Sequence, residues 1–286
     1  MDITAKTGLL AVLGSPIRHS LSPAMHNCAL RELGLDYVYL AFELGIDELE
    51  QGIRGLQQLG FRGCNLTMPL KRKIIEFCDE LSMAARISGS VNTVVNENGK
   101  LIGHTTDGSG FFLGMKEHGH TFVGKKLAVL GAGGAAVSIV TQGAIDGVKE
   151  ISVFNRQGKS YEEMKRIAKL LQEETDCVIH LLEPEEEQIR KAMKESDGVV
   201  QCTSLGMSPN EHLCIVPDSS YFHKDLVVAD VIYNPRETIF MKYAKEAGAV
   251  AYNGLDMLLY QGAIAFELWT DQKMPVDIVK REVFSK

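Results

Sequence analysis

The sequence of 286 residues lacks the features of a membrane protein and of a protein that binds a polyanion. No apolar run approaches the roughly 20 residues that a membrane-spanning helix needs. The net charge is -7 and the Lys and Arg side chains are dispersed, whereas a nucleic-acid or anionic-membrane surface needs clustered positive charge. Low-complexity blocks and repeats of fixed period are also absent. We therefore expect a folded protein with a small-molecule partner.

Sequence motifs typical of metal sites or disulfide bonds are missing as well. The six cysteines include no CxxC pair, and the eight histidines include neither an HExxH motif nor a Cys/His spacing typical of a metal site. No charged segment followed by a long apolar one precedes these cysteines. We expect reduced thiols, a cytoplasmic location and no metal.

The length of the chain is typical of two domains. In the first hundred residues, strands are predicted at 9–15, 37–44 and 63–68, and they alternate with helices predicted at 23–33, 47–59 and 70–78. This alternation indicates βαβ units on a mostly parallel sheet. The pair Asn98-Gly99 between two apolar segments then predicts a β-hairpin.

From Lys125 onward the alternation becomes stricter and predicts a second, doubly wound domain. Two further helices, predicted beyond residue 254, have no strand of their own to cover, so we expect them to return to the first domain. The predicted hinges lie near 105–110 and 253–255, and a cleft between the two domains is expected.

A glycine-rich turn opens the second domain. Residues 131–136, Gly-Ala-Gly-Gly-Ala-Ala, match G-x-G-x-x-A directly after an apolar strand and at the start of a predicted helix. Such glycines permit a tight turn and let backbone N–H groups and the helix dipole meet a pyrophosphate. The context favours dinucleotide binding over a structural turn.

The end of the next strand bears on the choice between NADP and NAD. An Asp or Glu there would bind the ribose 2'-hydroxyl of NAD, but the chain has Asn155-Arg156-Gln157-Gly158-Lys159 and no acid before Glu162. Arg156 and Lys159 place positive charge where a 2'-phosphate would lie, which favours NADP. Alternatively both are solvated loop cations, and NAD binds through Asn155 and backbone groups.

Two residues are candidates for the proton transfer that an alcohol or carbonyl oxidoreductase needs. Pro69 suits the first position of a helix, so Lys71 is expected in its first turn, where the helix dipole can lower a lysine pKa. Asp107, at the end of the hairpin, could hold and orient that ammonium. The alternatives are a solvent-facing lysine beside Arg72 and a helix N-cap at Asp107.

Candidate binding groups for an acid occur earlier in the chain. Ser22 is predicted as an N-cap with Pro23 in the first helical position, and a helix start that carries the hydroxyls of Ser20 and Ser22 can bind a carboxylate. Capping alone accounts for Ser22 and leaves Ser20 without a role. The segments "NLT" (65–67) and "SVNT" (90–93) add amides and hydroxyls at strand ends.

Taken in order, the motifs resemble the shikimate dehydrogenase family over nearly the whole chain. The matching runs are "PIRHSLSPAMHN", "NLTMPLK", "SVNTVV", "TTDGSGF", "GAGGAA", "FNR", "CTSLGM", "DVIYNP" and "NGLDMLLYQGAIAFELWT". The resemblance implies an α/β fold of two domains separated by a deep cleft. A substrate-binding and catalytic domain, 1–107 completed by helices in 255–286, has a mostly parallel sheet, and a Rossmann-type NAD(P)-binding domain spans 108–254.

The resemblance also implies roles for individual residues. Lys71 and Asp107 are similar to the family's catalytic pair, with Lys71 giving a proton to the C3 oxygen as NADPH reduces 3-dehydroshikimate. The implied shikimate-binding residues are Ser20 and Ser22 for the carboxylate, Thr67, Asn92 and Gln261 near the hydroxyls, and Asn65 and Tyr233 lining the pocket. The implied cofactor contacts are Gly131, Ala132, Gly133, Gly134, Ala135, Asn155, Arg156, Thr203, Val231 and Gly254. Lys159 is added because its positive charge suits a 2'-phosphate.

The chain departs from the family pattern in two places. Thr105 stands where the family usually has Asn before Thr-Asp-Gly, and a second arginine after Arg156, usual in NADP-specific members, is missing. The run "QGAIDGVKEISVFNR" is similar to the quinate/shikimate branch, whose members can accept quinate and NAD, although that branch usually has an acid near Gly158.

Three functions follow as hypotheses. The first is an NADP-dependent shikimate dehydrogenase of aromatic amino acid (chorismate) biosynthesis, acting as a monomer or homodimer. The second is a dual quinate/shikimate dehydrogenase that uses NAD or NADP. The third is a metabolite sensor without activity, which would have no need of Lys71 and Asp107.

Overall fold

The computed structural model describes residues 3–284, which divide into two compact units. The first unit comprises the residues up to Gly110 and those from Leu259 onward, and the second comprises Phe111–Leu258. Both are α/β structures. The predicted domain boundaries, after residues 107 and 254, lie a few residues before these positions.

The first unit contains a six-stranded sheet in the order β2-β1-β3-β5-β6-β4. The strands are β1 (Gly8–Gly14), β2 (Tyr37–Glu43), β3 (Gly63–Leu66), β4 (Glu80–Leu81), β5 (Thr93–Glu97) and β6 (Lys100–His104). β1 runs parallel to β2 and β3, whereas β5 is antiparallel to both β3 and β6. The predicted hairpin is confirmed: Asn98 (φ 54°) and Gly99 (φ 94°) both take the left-handed conformation that a two-residue β-turn needs.

The helices of the first unit up to this point are α1 (Ser22–Glu32), α2 (Leu49–Gln58), a 3-10 helix at Lys73–Phe77 and α3 (Met83–Ser88). The predicted helix at 70–78 is therefore wrong in type and start. The carbonyl of Lys71 accepts the backbone N–H of Val91 at 2.8 Å, so it is engaged outside the helix. Helix α3 was not predicted; Ser82 caps it, and Gly89 ends it with φ 63°.

Helix α4 (Asp107–Glu117) takes the chain from the first unit into the second, whose sheet is all parallel. Its strands are β7 (Lys126–Leu130), β8 (Glu150–Phe154), β9 (Val178–Leu182), β10 (Gly198–Gln201), β11 (Val227–Asp230) and β12 (Val250–Tyr252). They lie in the order β12-β11-β10-β7-β8-β9. This is the doubly wound order of dinucleotide-binding domains, and it confirms the predicted Rossmann-type fold.

The connections between these strands are mostly helical, as predicted. The helices are α5 (Gly134–Ile145), α6 (Lys159–Glu174), α7 (Glu186–Glu195), a 3-10 turn at Ser219–Tyr221 and α8 (Ile239–Glu246). Leu130, Phe154 and Val228 from the strands pack with Met193 and Phe240 from the helices in a buried apolar core. Burial of this surface is the main stabilising contribution to the unit.

The chain returns to the first unit through α9 (Leu255–Thr270), followed by α10 (Val276–Val279) and a π-helical turn at Lys280–Phe284. Trp269 near the end of α9 is fully buried, and its indole N–H donates to the carbonyl of Val94 at 3.0 Å. A side chain at Gly63 would place its Cβ 2.2 Å from the indole nitrogen, so only glycine leaves room for this ring. The C-terminal helices are therefore part of the first unit's core.

Among residues 3–284, no helix has the length and apolar character that crossing a membrane requires. Within the same range, His, Cys, Asp and Glu side chains form no group of three or more that could hold a metal ion.

Candidate active site

Lys71 and Asp107 lie in direct contact in the first unit. The Lys71 ammonium donates to Oδ2 of Asp107 at 2.6 Å, and the side chains are 30% and 17% exposed. Lys71 lies in the turn between β3 and the 3-10 helix, and Asp107 is the first residue of α4. The expectation that a helix dipole acts on Lys71 is wrong, because the helix begins only at Lys73.

Asn92 holds the other oxygen of this carboxylate. Its side-chain N–H₂ group lies 2.9 Å from Oδ1 of Asp107, and also within reach of Thr106 Oγ1 at 3.0 Å and Gln261 Oε1 at 3.3 Å. The side-chain oxygen Oδ1 of Asn92 accepts the backbone N–H of Thr106 at 2.7 Å. Both ends of the amide are thus engaged, which fixes the orientation of the Asp107 carboxylate.

Asn65 belongs to the same polar network. Its amide donates to the Asn92 backbone carbonyl at 3.1 Å and to the Thr93 hydroxyl at 3.0 Å, and its oxygen accepts the Tyr39 hydroxyl at 2.6 Å. Burial raises the pKa of Tyr39 well above its usual value, the nearby Cys64 thiol raises it further, and a hydrogen bond with Ser22 opposes the rise. Tyr39 therefore stays a neutral hydrogen-bond donor.

His26, which lies in the same motif as Ser20 and Ser22, packs against Tyr39. The two rings stack with their centroids 4.3 Å apart and their planes at 12°. Burial lowers the pKa of His26 to about 3, so the imidazole is neutral. Among the described residues neither ring nitrogen has a hydrogen-bond partner, which makes this histidine a packing group.

The prediction that Ser22 is the N-cap of the first helix is wrong, because the N-cap position falls on Leu21. Helix α1 begins at Ser22, whose side chain makes no capping bond, and Pro23 follows within the first turn. The Ser20 hydroxyl instead accepts the backbone N–H of Ser22 at 3.3 Å. Leu21 has no side-chain oxygen, so no side chain caps this helix. Both hydroxyls nevertheless lie at the start of one helix.

The other predicted substrate residues are divided between the two units. Thr67 follows β3 in the first unit and is half-buried, and Gln261 is buried in α9 beside Asn92. Tyr233 lies in the second unit and is 42% exposed. Thr105, at the first departure from the family pattern, is buried, and its hydroxyl has no hydrogen-bond partner in the part of the chain that the structure describes.

The glycine-rich turn lies between β7 and α5 in the second unit. Gly131 has φ 112°, and a Cβ there would lie 3.0 Å from the backbone of Cys202. Gly133 and Gly134, at the start of α5, are exposed, and a Cβ on either would meet nothing within 4 Å. The backbone at the N-terminus of α5 is thus open to a phosphate. Ala132 lies in the turn, and Ala135 lies in the first turn of α5.

The segment after β8 offers exposed cations. Arg156 and Lys159 are both exposed, and neither takes part in an ion pair among residues 3–284. The Asn155 amide donates to the Arg156 carbonyl at 2.8 Å, which holds the loop in place. Gly158 has φ 144°, a conformation that favours glycine, so an acid at this position would be strained.

The remaining predicted cofactor contacts lie beyond the carboxyl ends of β10, β11 and β12. Thr203 follows β10, and its hydroxyl accepts the backbone N–H of Leu205 at 3.1 Å. Val231 follows β11, and a Cβ at Gly254 would come within 2.0 Å of its carbonyl oxygen. The backbones at 231 and 254 are therefore in close contact, and only glycine permits it.

Three polar residues of the first-unit network were given no individual role from the sequence: Tyr39, Thr93 and Thr106. Tyr39 reads as a strand residue on an apolar face, and nothing in the sequence places its hydroxyl beside Asn65. Thr93 and Thr106 lie beside predicted site residues in the runs "SVNT" and "TTDG". Their position next to a candidate polar residue is the one signal that could have identified them.

Two family models match the chain. The shikimate dehydrogenase substrate binding domain matches residues 12–94, and the shikimate 5'-dehydrogenase C-terminal domain matches residues 254–284. A curated shikimate dehydrogenase (NADP(+)) of Listeria monocytogenes serotype 4b is 46% identical over 283 residues, which cover 99% of this chain and 97% of the relative.

Solved structures agree with these matches. The crystal structure of shikimate 5-dehydrogenase from Listeria monocytogenes in complex with shikimate and NAD has a TM-score of 0.96 at 46% identity and covers 98% of each chain. Quinate dehydrogenase from Corynebacterium glutamicum in complex with NAD has a TM-score of 0.85 at 28% identity, covering 98% of this chain and 99% of that one. With a relative 46% identical along 99% of its length, the chain belongs to the shikimate dehydrogenase family.

Proposed function

We propose that this protein is a shikimate dehydrogenase, which reduces 3-dehydroshikimate to shikimate with NADPH and catalyses the reverse oxidation with NADP+. The reaction belongs to chorismate and aromatic amino acid biosynthesis. The observation that carries the proposal is the hydrogen-bonded series Lys71–Asp107–Asn92, with distances of 2.6 and 2.9 Å. An ammonium held in this way is the proton donor that reduction of a carbonyl requires.

Lys71 is the proposed acid. An ammonium group has three N–H donors, and the contact with Asp107 uses one of them, which leaves donors for a substrate oxygen. During reduction Lys71 gives a proton to the C3 oxygen, and that carbon becomes a secondary alcohol. Asp107 holds the ammonium before the transfer and assists its reprotonation. In the oxidative direction the neutral amine removes the proton.

The binding groups of the first unit suit a hydroxylated acid. We assign the shikimate carboxylate to the hydroxyls of Ser20 and Ser22 at the start of α1, where the helix dipole also favours negative charge. Thr67, Asn92 and Gln261 are assigned to the ring hydroxyls. Asn65 completes the proposed set in the first unit.

The second unit fits a dinucleotide. The open backbone at Gly133 and Gly134, at the N-terminus of α5, suits a pyrophosphate, and the exposed Arg156 and Lys159 suit a 2'-phosphate. Thr203, Val231 and Gly254 are assigned to the nicotinamide half. NADPH, when bound, supplies the hydride. We therefore assign cofactor binding to the second unit and substrate binding to the first.

The proposal is tested by following reduced-nicotinamide absorbance with shikimate or quinate, each paired with NADP+ or NAD+. We expect the highest kcat/KM for shikimate with NADP+. Absence of turnover in all four reactions would exclude a dehydrogenase of this specificity and favour a sensor without activity.

A dual quinate/shikimate dehydrogenase is the second candidate, because the fold also matches a quinate dehydrogenase that was solved with NAD. Quinate has a tertiary hydroxyl on the carbon that carries the carboxylate. The same assay separates the two functions: comparable kcat/KM values for quinate and shikimate would establish the dual enzyme.

Replacing Arg156 with alanine is expected to raise KM for NADP+ about tenfold and to leave KM for NAD+ nearly unchanged, because a charge-assisted bond to the 2'-phosphate is lost. Initial rates with each cofactor at saturating shikimate measure the effect. The control is Arg54→Ala, since Arg54 lies in the first unit, paired with Glu50 at 3.0 Å. An equal change in both KM values would contradict a role in cofactor choice.

The partner that we propose is a small molecule, with the chain acting as a monomer or homodimer in the cytoplasm. The cysteines of the described residues support a reducing compartment, since all six are free thiols.

A further inference from the structure

Two buried polar side chains lie side by side at the carboxyl ends of neighbouring strands in the second unit. Gln201 is the last residue of β10, Asp230 is the last residue of β11, and the two are paired in register. Each is 1% exposed. A buried carboxylate and a buried amide are costly unless their hydrogen bonds are satisfied, so the partners of these groups indicate what they do.

Gln201 is bonded to the loop that follows its own strand. Its amide nitrogen donates to the carbonyls of Thr203 at 3.3 Å and Leu205 at 3.1 Å, and its oxygen accepts the backbone N–H of Thr203. The same nitrogen lies 3.4 Å from Oδ1 of Asp230. One side chain thus sets the backbone path of residues 202–205.

The Asp230 side chain is likewise hydrogen-bonded to the loop that follows its own strand, β11. Oδ1 accepts the backbone N–H of Ile232 at 2.9 Å, and Oδ2 accepts the Thr238 hydroxyl at 2.7 Å. The Thr238 hydroxyl in turn caps α8 by accepting the N–H of Met241. The carboxylate therefore fixes both ends of the segment 231–238.

These two loops lie where the fold places a dinucleotide. In a doubly wound sheet the ligand binds outside the carboxyl ends of the strands, at the point where the strand order reverses, which is here between β7 and β10. The glycine-rich turn after β7 touches the first of the loops, since a Cβ at Gly131 would lie 3.0 Å from the backbone of Cys202 and 3.1 Å from Thr203.

We propose that Gln201 and Asp230 are positioning residues for the nicotinamide cofactor: they hold the loops 202–205 and 231–238 in the conformation that receives it. The proposal rests on the function given above, because it requires that the second unit binds NADPH. Neither side chain needs to touch the cofactor, since each acts through the backbone it holds.

A pH dependence follows from the same geometry. Burial raises the pKa of Asp230 to about 6, against hydrogen bonds from Thr238, Ile232 and Gln201 that lower it. The titratable groups that face it are the thiols of Cys202 and Cys214, whose pKa values burial raises, so they stay neutral near that pH. Protonation of the Asp230 carboxyl places a hydrogen on an oxygen that already accepts a hydrogen bond. That bond is then lost, and the loops 202–205 and 231–238 are held less firmly.

The test is direct titration of the full-length protein with NADPH, followed by cofactor fluorescence, beside calorimetric titration with shikimate. Asp230→Ala leaves three donors without their acceptor, and Gln201→Met removes the amide but keeps the length of the side chain. We expect each to raise the Kd for NADPH about tenfold and to leave the Kd for shikimate unchanged. Should Asp230→Ala fail to fold, Gln201→Met decides the outcome.

Asp230→Asn is the conservative variant. Its oxygen can still accept from Ile232, and its pH-independent amide should keep the Kd for NADPH within about threefold of wild type at pH 8. The ratio of variant to wild-type Kd should then fall as the pH decreases through about 6, because the wild-type protein alone loses affinity through this group. A constant ratio would contradict the role of the carboxylate.

Ile167→Ala is the control for stability, since Ile167 is a fully buried apolar residue of α6. It should lower Tm without changing the Kd for NADPH. The proposal is overturned if Asp230→Ala and Gln201→Met fold and bind NADPH like wild type, or if Ile167→Ala weakens NADPH binding equally. Failure of the wild-type protein to bind NADPH would instead overturn the proposed function, and this inference with it.

Discussion

Replacing Lys71 with alanine is expected to lower kcat by about 100- to 10,000-fold while shikimate still binds. The ammonium that contacts Asp107 at 2.6 Å is the group that we assign to proton transfer at the C3 oxygen. Its loss removes an interaction of the transition state more than one of the bound ground state. Steady-state rates with shikimate and NADP+, together with calorimetric titration of shikimate, measure the two effects separately.

The matched control is Lys73→Ala. Lys73 lies two residues further along the chain, is half-buried and pairs with Glu76 at 2.7 Å, away from Asp107. It should retain nearly full kcat. If Lys71→Ala raises KM and leaves kcat unchanged, Lys71 binds the substrate and some other group is the acid. If Lys73→Ala is equally impaired, the effect reflects local structure.

Replacing Trp269 with alanine is expected to lower the free energy of unfolding of the first unit by about 3–5 kcal/mol. The ring is fully buried between the sheet and the helices, with its centroid 5.3 Å from that of His26 and 6.0 Å from that of Tyr39. Removal would leave a large cavity and would take away the indole N–H that donates to the Val94 carbonyl. Urea-induced unfolding followed by circular dichroism measures the change.

Trp269→Phe is the control for the packing argument. Phenylalanine keeps an aromatic ring in the same place but lacks the indole N–H, so the expected loss is about 1–2 kcal/mol. Equal losses for the two variants would mean that the hydrogen bond to Val94, rather than the packing of the ring, stabilises the C-terminal helices. A loss of unfolding free energy below about 1 kcal/mol for Trp269→Ala would contradict a stabilising role for both the ring packing and the hydrogen bond.

Features that depend on neighbours in the chain were predictable. The Asn98-Gly99 hairpin forms because both residues tolerate the left-handed conformation, and the turn at Gly131 forms because a buried strand leads directly into a helix. The strict alternation after Lys125 similarly predicted the parallel sheet. In the hairpin and in the glycine-rich turn, the deciding interaction spans only a few residues.

Features that depend on contacts between residues far apart in the chain could not be predicted from the sequence. The helix expected around Lys71 is displaced because the Lys71 carbonyl binds the backbone of Val91, twenty residues away in the chain. The bond between Lys71 and Asp107 was foreseen as a possibility from the chemistry of the two groups, but its geometry comes from the sheet that brings them together.

The most direct test of the proposed function is reduction of 3-dehydroshikimate by NADPH with the purified wild-type protein, with the product identified by chromatography. We predict that NADPH is consumed and that shikimate appears mole for mole, at a rate that Lys71→Ala lowers at least about 100-fold. No consumption of NADPH, or consumption that Lys71→Ala leaves unchanged, would contradict the proposal that this chain reduces 3-dehydroshikimate through Lys71.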